Sequence, residues 1–530
     1  MSTHWRHMLF ATLSCLVGAS AAAGADRTVT VLLDRAHPGA RIDRNIFGQF
    51  AEHLGTGIYG GVWLGSNSSI PNVRGIRSDV VAALRALKVP NVRWPGGCFA
   101  DEYHWRDGIG PADQRRRRVN ANWGGAIEPN TFGTHEYFDF LEQIGSEAYV
   151  SINVGSGTVQ EAADWLEYMT ADTRTSLGRE RAANGHPQPF KVRFLGIGNE
   201  SWGCGGSMTP EHYVEELKIF SRYPRNYNLA QADTEPMQRI AVGADDSKNE
   251  YIEAVMKAWH ERVWSWDIQG VSLHSYTADH FPAQHPSVQF GTTEYARMLK
   301  LTLRMDDLIA QDAAIMDRYD PAKKLALAID EWGIWLAPLA GTNPGFLVQQ
   351  NSLRDALLAS LNLNIFVRHA ERVRMANIAQ MANVLQAMIM TDEGRMVLTP
   401  TYHVFRMYVP FQDAASIPVR IDAGTYVEGA VSLPRLDAIA AVDAAGVTWL
   451  ALTNLDPDHS ARIDVMITGL SARSADAETL TGAHVDAVNS FAAPSTVAPR
   501  TLRAEARGGS VALELPPKSV SVVQIRGENR

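Results

Sequence analysis

The chain has 530 residues, 45% of them apolar and 20% charged, with a formal net charge of −9. That suits a well-packed globular protein with one large domain and a smaller one. The mild acidity argues against nucleic acid or an anionic membrane surface as the main partner. The single basic run, Arg115 to Arg118, follows Gly110-Pro111 and is read as a solvated loop rather than a phosphate site.

Residues 1–25 read as an export signal. His4, Arg6 and His7 give a polar, basic start, Met8 to Ala19 is apolar, and small residues lead to a cut near Ala25–Asp26. The apolar stretch is too short to span a bilayer. The expectation is a protein exported to the periplasm or the medium, with no membrane contact once the signal is removed. Cys98 and Cys204 then remain. Two cysteines without a CxxC spacing are no disulfide framework and no structural zinc site.

Arg27 to Leu33 alternates like a strand, and Arg41 to Leu54 is a second strand region ending in Glu52 and His53. Helix Ser78–Lys88 carries Val80, Val81, Leu84 and Leu87 on one face, and the strand Asn91–Trp94 runs into Pro95-Gly96-Gly97-Cys98. The alternation of helix and strand then continues. Counting strands followed by loops gives eight, ending near Glu52, Trp94, Val154, Asn199, Ala244, Tyr276, Glu331 and Gln380. Eight strands separated by helices predict an α/β fold, a (β/α)8 TIM barrel, over 42–398. A doubly wound sheet would show a Gly-rich phosphate loop, and GxxxxGK[ST] does not occur. Beyond Pro400 helical periodicity fades and short β-rich runs appear, such as Val447 to Leu455 and Ala461 to Thr468. These predict a C-terminal β-sandwich over 399–530, joined by an N-terminal strand within 26–41. With no low-complexity linker, the two domains should pack rather than swing.

The stretch Lys191 to Gly206, KVRFLGIGNESWGCGG, is an apolar strand that breaks at Gly198 and leaves Asn199 and Glu200 at its end. Thr209 and Pro210 then start a helix. Other strand ends carry Glu52, Arg93, His274 with Tyr276, Asp330 with Glu331, and Gln380. In a β/α barrel such residues converge on one rim, however far apart they lie in sequence. Glu200 and Glu331 stand at the ends of strands four and seven, with Trp202 and Trp332 close behind. Two carboxylates across a barrel mouth suit glycoside hydrolysis, one protonating the leaving oxygen while the other attacks or activates water. Plainer readings stay open: Glu200 in a structural ion pair, Glu52 paired with Arg93, His274 a core histidine, Trp335 plain packing. No GxSxG or HExxH supports an esterase or a peptidase.

Across nearly the whole chain the sequence resembles the α-L-arabinofuranosidases of glycoside hydrolase family 51. The resemblance is carried by GQFAEHLG (Gly48–Gly55), VRWPGG (Val92–Gly97), YHWRDGIGP (Tyr103–Pro111), FGTHEYFDF (Phe132–Phe140), NVGSGT (Asn153–Thr158), GNESWG (Gly198–Gly203), HSY (His274–Tyr276), DEWGIW (Asp330–Trp335) and ANIAQMANVL (Ala376–Leu385). It implies a retaining barrel enzyme with Glu200 as general acid/base and Glu331 as nucleophile. It also implies sugar contacts from Glu52, Asn199, Tyr276 and Gln380, with Gln386 nearby as a rival for the last. Arg93 and His274 would orient the nucleophile, and Trp335 would line the entrance. The implied partner is an arabinose-containing polysaccharide or oligosaccharide, the implied assembly a homo-oligomer, and no cofactor or metal is implied. Rival readings are another glycosidase specificity on the same scaffold (endo-β-1,4-glucanase, β-xylosidase, β-galactofuranosidase) and a non-catalytic carbohydrate-binding protein. One position departs from the pattern: many members have Asn after Pro-Gly-Gly, where it touches the sugar, and here the residue is Cys98. A thiol is a poor donor beside an amide. Cys98 and Cys204 either form a disulfide at the rim or stay as two small, free thiols.

Overall fold

The computed structural model describes residues 28–529. The stretch read as an export signal, 1–25, lies outside the described residues. Eight strands close into a barrel: Gly48–Phe50, Asn91–Trp94, Glu147–Ile152, Val192–Ile197, Gln238–Ala244, Gly270–Thr277, Ala326–Ile334 and Val373–Ile378. Each runs parallel to both neighbours. Strands covered on both faces read as continuous apolar runs rather than alternating ones, and Ala326–Ile334 is buried at every residue. Most of the helices between them bury one face, as Asn249–His260 does with Tyr251, Ile252, Val255, Met256 and Trp259. Pro210–Arg222 starts where expected, with the Thr209 side chain accepting from the His212 N–H. The long helical stretch near Tyr295–Tyr319 is two helices, Thr292–Thr302 and Arg304–Tyr319.

Two barrel strands depart from ideal form. Strand one is only three residues long, Gly48–Phe50, within the region read as Arg41–Leu54. A Cβ on Gly48 would lie 2.7 Å from Asn377 Nδ2 and 2.9 Å from Asn91 Oδ1. The strand is therefore pressed against both neighbours, where Asn377 Nδ2 donates to the Gln49 carbonyl (2.8 Å) and to Asn91 Oδ1 (2.7 Å). Strand seven carries one extra residue against both neighbours, because Ala328 and Glu331 pair with Ser272 and His274, and Ile329 and Trp332 with Ala376 and Ile378. This bulge falls at Asp330 and re-aims the strand end.

The C-terminal β-region is two facing sheets. Val29–Asp34 lies in the five-stranded sheet, antiparallel to Val419–Ile421 and parallel to Ala461–Thr468. The six-stranded sheet packs across a core that includes Val31, Leu450, Leu452, Ile463, Val465 and Val523. Two elements differ from the sequence reading. Pro400–Tyr408 is a helix, capped by the Thr399 side chain. Proline at the first position starts a helix rather than ending one. Leu470–Leu480 is a strand of 11 residues that lacks apolar alternation, held by its long pairing with Ser519–Asn529.

Helix Leu353–Arg368 is buried on all sides because it lies between barrel and sandwich. Phe366 meets Trp332 edge-on at 5.2 Å, Ser360 Oγ lies 2.9 Å from Thr453 Oγ1, and Asn364 Nδ2 donates to Asp437 Oδ2 at 2.8 Å. The two parts are packed together, as expected. Trp332, fully buried here, is a core residue and offers no face to a ligand.

Helix Arg304–Tyr319 buries Asp312, 1% exposed, with no hydrogen-bond partner on either carboxyl oxygen among the described residues. Burial, with a smaller push from Asp245, raises its carboxyl to about 7. The native state therefore holds a proton that the unfolded chain releases near 4, and stability falls as pH rises from about 4 to about 7. Asp312→Asn cannot titrate. Melting curves across pH 4–9 should show a flatter decline for the variant, with its advantage over the parent growing by on the order of a few kcal/mol.

Candidate active site

The loop after strand four is bent hard and heavily tied. Gly198 (φ 84°) and Glu200 (φ 39°) both adopt left-handed backbone. For glutamate that is a strained conformation, which persists only where neighbours over-determine it. The Glu200 carbonyl accepts from the Gly203 (2.7 Å) and Gly205 (3.1 Å) N–H groups. A Cβ on Gly205 would fall 1.7 Å from the Asn199 carbonyl oxygen, so the loop closes only with glycine there. Beneath it, buried Asp101 accepts from Asn199 N (2.9 Å), Val154 N (2.8 Å) and Gly155 N (2.8 Å). Burial pushes the Asp101 carboxyl up to about 7 against these donors.

Strand two delivers Arg93 and the Pro-Gly-Gly turn. Arg93 Nη1 donates to Glu331 Oε2 (2.9 Å) and Nη2 to Asn199 Oδ1 (2.5 Å), while the guanidinium lies over the Phe50 ring. Burial opposes its charge, but Asp330 and Glu331 outweigh that and hold Arg93 above its ordinary range. The two glycines are required by close approach. A Cβ on Gly96 would lie 2.8 Å from Glu52 Cγ, and one on Gly97 3.1 Å from Glu331 Oε2. Cys98 follows, bonded to Cys204, so the open question of its thiol resolves as a disulfide. Its sulfur has no hydrogen to offer a ligand. Cys204 Sγ lies 3.5 Å from Glu200 Oε2.

His274, on strand six, joins the carboxylates. Its Nδ1 lies 3.0 Å from Glu200 Oε1 and 3.5 Å from Glu331 Oε2, and its Nε2 lies 3.1 Å from Asp330 Oδ1. Burial disfavours the imidazolium, but Glu331, Asp330 and Glu200 prevail and lift it to about 10. Glu200 is raised by burial, which the His274 hydrogen bond only partly offsets. One oxygen each of Glu200 and Glu331 and a His274 nitrogen all lie within 4.8 Å of one another. That spacing could hold a cation, but Arg93 already occupies Glu331 Oε2. The Tyr276 hydroxyl donates to Glu331 Oε1 at 2.7 Å, and its ring meets Trp335 edge-on at 5.0 Å.

Behind the turn, Glu52 Oε1 accepts from Gly97 N and Phe99 N at 3.0 Å each, and Gln380 Nε2 donates to Oε2 at 3.2 Å. Burial, with help from the Glu331 charge, raises Glu52 to about 7. Gln386 instead bonds backbone, accepting from Ile334 N (3.0 Å) and donating to the Asp355 carbonyl (2.7 Å). The rim thus gathers Glu52, Arg93, Asn199, Glu200, His274, Tyr276, Glu331 and Gln380, with Cys98 in its wall and Trp335 one ring further out. Sequence reasoning gave no role to Asp101, Asp330 or Tyr149, whose hydroxyl donates to Asp330 Oδ2. Of the three, only Asp330, beside Glu331, stood next to a residue the sequence singled out.

Comparison with known proteins agrees with this geometry. Residues 83–287 match the α-L-arabinofuranosidase 1 domain and 330–519 the α-L-arabinofuranosidase C-terminal domain. An intracellular exo-α-L-arabinofuranosidase of Bacteroides ovatus is 42% identical, over 97% of this chain and 98% of its own. The family 51 arabinofuranosidase of Xanthomonas axonopodis pv. citri is 48% identical with a TM-score of 0.91, over 94% of this chain and 100% of its own. The Thermotoga maritima α-L-arabinofuranosidase, solved with arabinose, is 29% identical with a TM-score of 0.81, over 95% of this chain and 100% of its own. The first of these overturns one expectation. A relative matched end to end is named intracellular, so export to periplasm or medium does not stand. That expectation rested on the composition of residues 1–25 alone, which reports apolarity and small side chains and nothing of the folded protein.

If Asp330 holds the His274 charge, Asp330→Asn should move the imidazole titration from about 10 down toward ordinary histidine values. Ring-proton NMR across pH 5–11 reads this directly, and an unmoved titration would remove Asp330 from the account.

Proposed function

The chain belongs to glycoside hydrolase family 51, the α-L-arabinofuranosidases, which are retaining hydrolases, and from that premise we propose the roles its rim residues play. Glu331 is the nucleophile and Glu200 the general acid/base. The observation that carries this is the pair of carboxyl groups meeting at His274, with oxygens within 4.8 Å of each other. Retaining enzymes place these groups about 5–5.5 Å apart, whereas inverting ones need ~6.5–9.5 Å to admit a water.

Tyr276 and Arg93 donate to the two oxygens of Glu331. They aim it at the anomeric carbon. Burial keeps a proton on Glu200, which passes it to the glycosidic oxygen as that bond breaks. The arabinosyl group is then esterified to Glu331. Glu200, now a carboxylate, takes a proton from water as the water oxygen attacks the same carbon, and Glu331 is released. Glu52, Asn199 and Gln380 bind sugar hydroxyls, and Tyr276 and Trp335 line the approach. The substrates are terminal non-reducing α-L-arabinofuranosyl groups of arabinoxylan, arabinan or their oligosaccharides. The exo mode is supported by the Bacteroides ovatus relative, an exo-α-L-arabinofuranosidase by name.

The test is hydrolysis of 4-nitrophenyl α-L-arabinofuranoside beside the β-D-xylopyranoside and cellobioside analogues. The arabinoside should be preferred. Glu331→Ala should lose on the order of 10⁴-fold or more in kcat. Glu200→Ala should lose about 10²–10⁴-fold on substrates with poor leaving groups and less on the nitrophenyl glycoside, whose leaving group needs little protonation. In the parent enzyme, activity should fall on the alkaline side as Glu200 loses its proton. Full activity in Glu331→Ala, or preference for another glycoside, would overturn the assignment.

A further inference from the structure

Outside the catalytic rim, a second cluster stands on the segment after strand six. Asp279 Oδ1 lies 2.8 Å from His285 Nε2 and also contacts His280 Nδ1. These three donor atoms all lie within 4.8 Å of one another. The other nitrogen of His285, Nδ1, lies 2.7 Å from Glu294 Oε1. Arg297 binds the far oxygen of Asp279, Oδ2, and leaves Oδ1 facing the imidazoles.

The second imidazole of the cluster is flanked on both sides. His285 is 9% exposed at its side chain and faces a carboxylate on each nitrogen. A carboxylate holding the outer nitrogen of a histidine whose inner nitrogen faces other donors is the arrangement that orients metal-bound imidazoles.

We propose that Asp279, His280 and His285 form a binding site for one divalent zinc-class cation. Two imidazole nitrogens and one carboxylate oxygen suit zinc, while magnesium and calcium favour oxygen ligands alone. The cluster borders a cavity of about 440 Å³ lined by Asp246, Phe281, Arg304 and Asp307 along with Asp279 and His280. Water from that cavity completes the coordination. The site also has a mechanical link to the catalytic rim. Phe281, next to His280 in sequence, meets Trp335 edge-on at 5.1 Å, and Trp335 meets Tyr276. A bound ion fastens the outermost ring of that series at the entrance.

The test uses the full chain, stripped with a chelator and then dialysed against micromolar Zn²⁺, with metal counted by elemental analysis and Co²⁺ substitution read by visible absorption. One ion per chain is expected, kept in Glu331→Gln and weakened at least tenfold in His280→Ala. His280 is 39% exposed at its side chain, so its loss should leave the metal-free melting temperature unchanged. His285→Gln, which keeps an N–H for Glu294, is the second variant and should also lose the ion. Stripping should raise KM for oligosaccharides several-fold with little change in kcat. No zinc in the parent chain would overturn the proposal. Zinc kept in His280→Ala but lost in Glu331→Gln would overturn it in favour of the catalytic carboxylates.

Discussion

The barrel mouth is governed by charge balance in a place water barely reaches. Two cations, Arg93 and His274, are buried among four carboxyl groups, Asp330, Glu331, Glu200 and Glu52. Buried charge is tolerated only when paired and hydrogen-bonded. Asp330 touches both cations and is held below its ordinary range, because Arg93 and His274 overcome its burial. Glu331 takes donors from Arg93 and Tyr276. Two cations cannot neutralise four carboxylates at once. Burial accordingly raises both Glu200 and Glu52. The division of labour proposed for the two strand-end glutamates rests on this shortage of fixed cations.

The scaffold serves this balance through a second layer that meets no ligand. Asp101 gathers the backbone N–H groups of the loops after strands three and four, so the left-handed turn at Glu200 rests on a carboxylate from strand two's loop. The bulge in strand seven has a similar use. In a regular strand neighbouring side chains point to opposite faces, whereas here Asp330 and Glu331 both reach Arg93 and His274.

Much of this architecture was legible in the chain. Strand and helix patterns alternate eight times, and chemistry-bearing residues fall where apolar runs stop, which in a barrel places them on one rim. The resemblance to family 51 added roles that spacing could not supply. What stayed hidden has physical reasons. A bulge leaves no mark on composition, so Asp330 read as a neighbour of Glu331 rather than its partner. Asp101 lies in a loop between Phe99-Ala100 and Glu102, and its three backbone partners come from distant residues. Pro400 opens a helix although helical periodicity fades in the sequence beyond it. Leu470–Leu480 owes its extended form to its pairing partner rather than to its own side chains. Trp332, close behind Glu331, turns to the core because the strand face opposite the lumen meets the buried helix carrying Phe366.

The bond between Cys98 and Cys204 closes a loop spanning 106 residues and skips over strand three. A cross-link of that span removes on the order of 4–5 kcal/mol of entropy from the unfolded chain, in the loop-closure account. That is comparable with the whole net stability of many domains, ~5–15 kcal/mol. The covalent tie ends beside Glu200 and is anchored at the turn whose glycines touch Glu52 and Glu331. Unfolding resistance and the shape of the catalytic mouth are therefore drawn from one bond, and the electron supply of the surroundings acts on both at once.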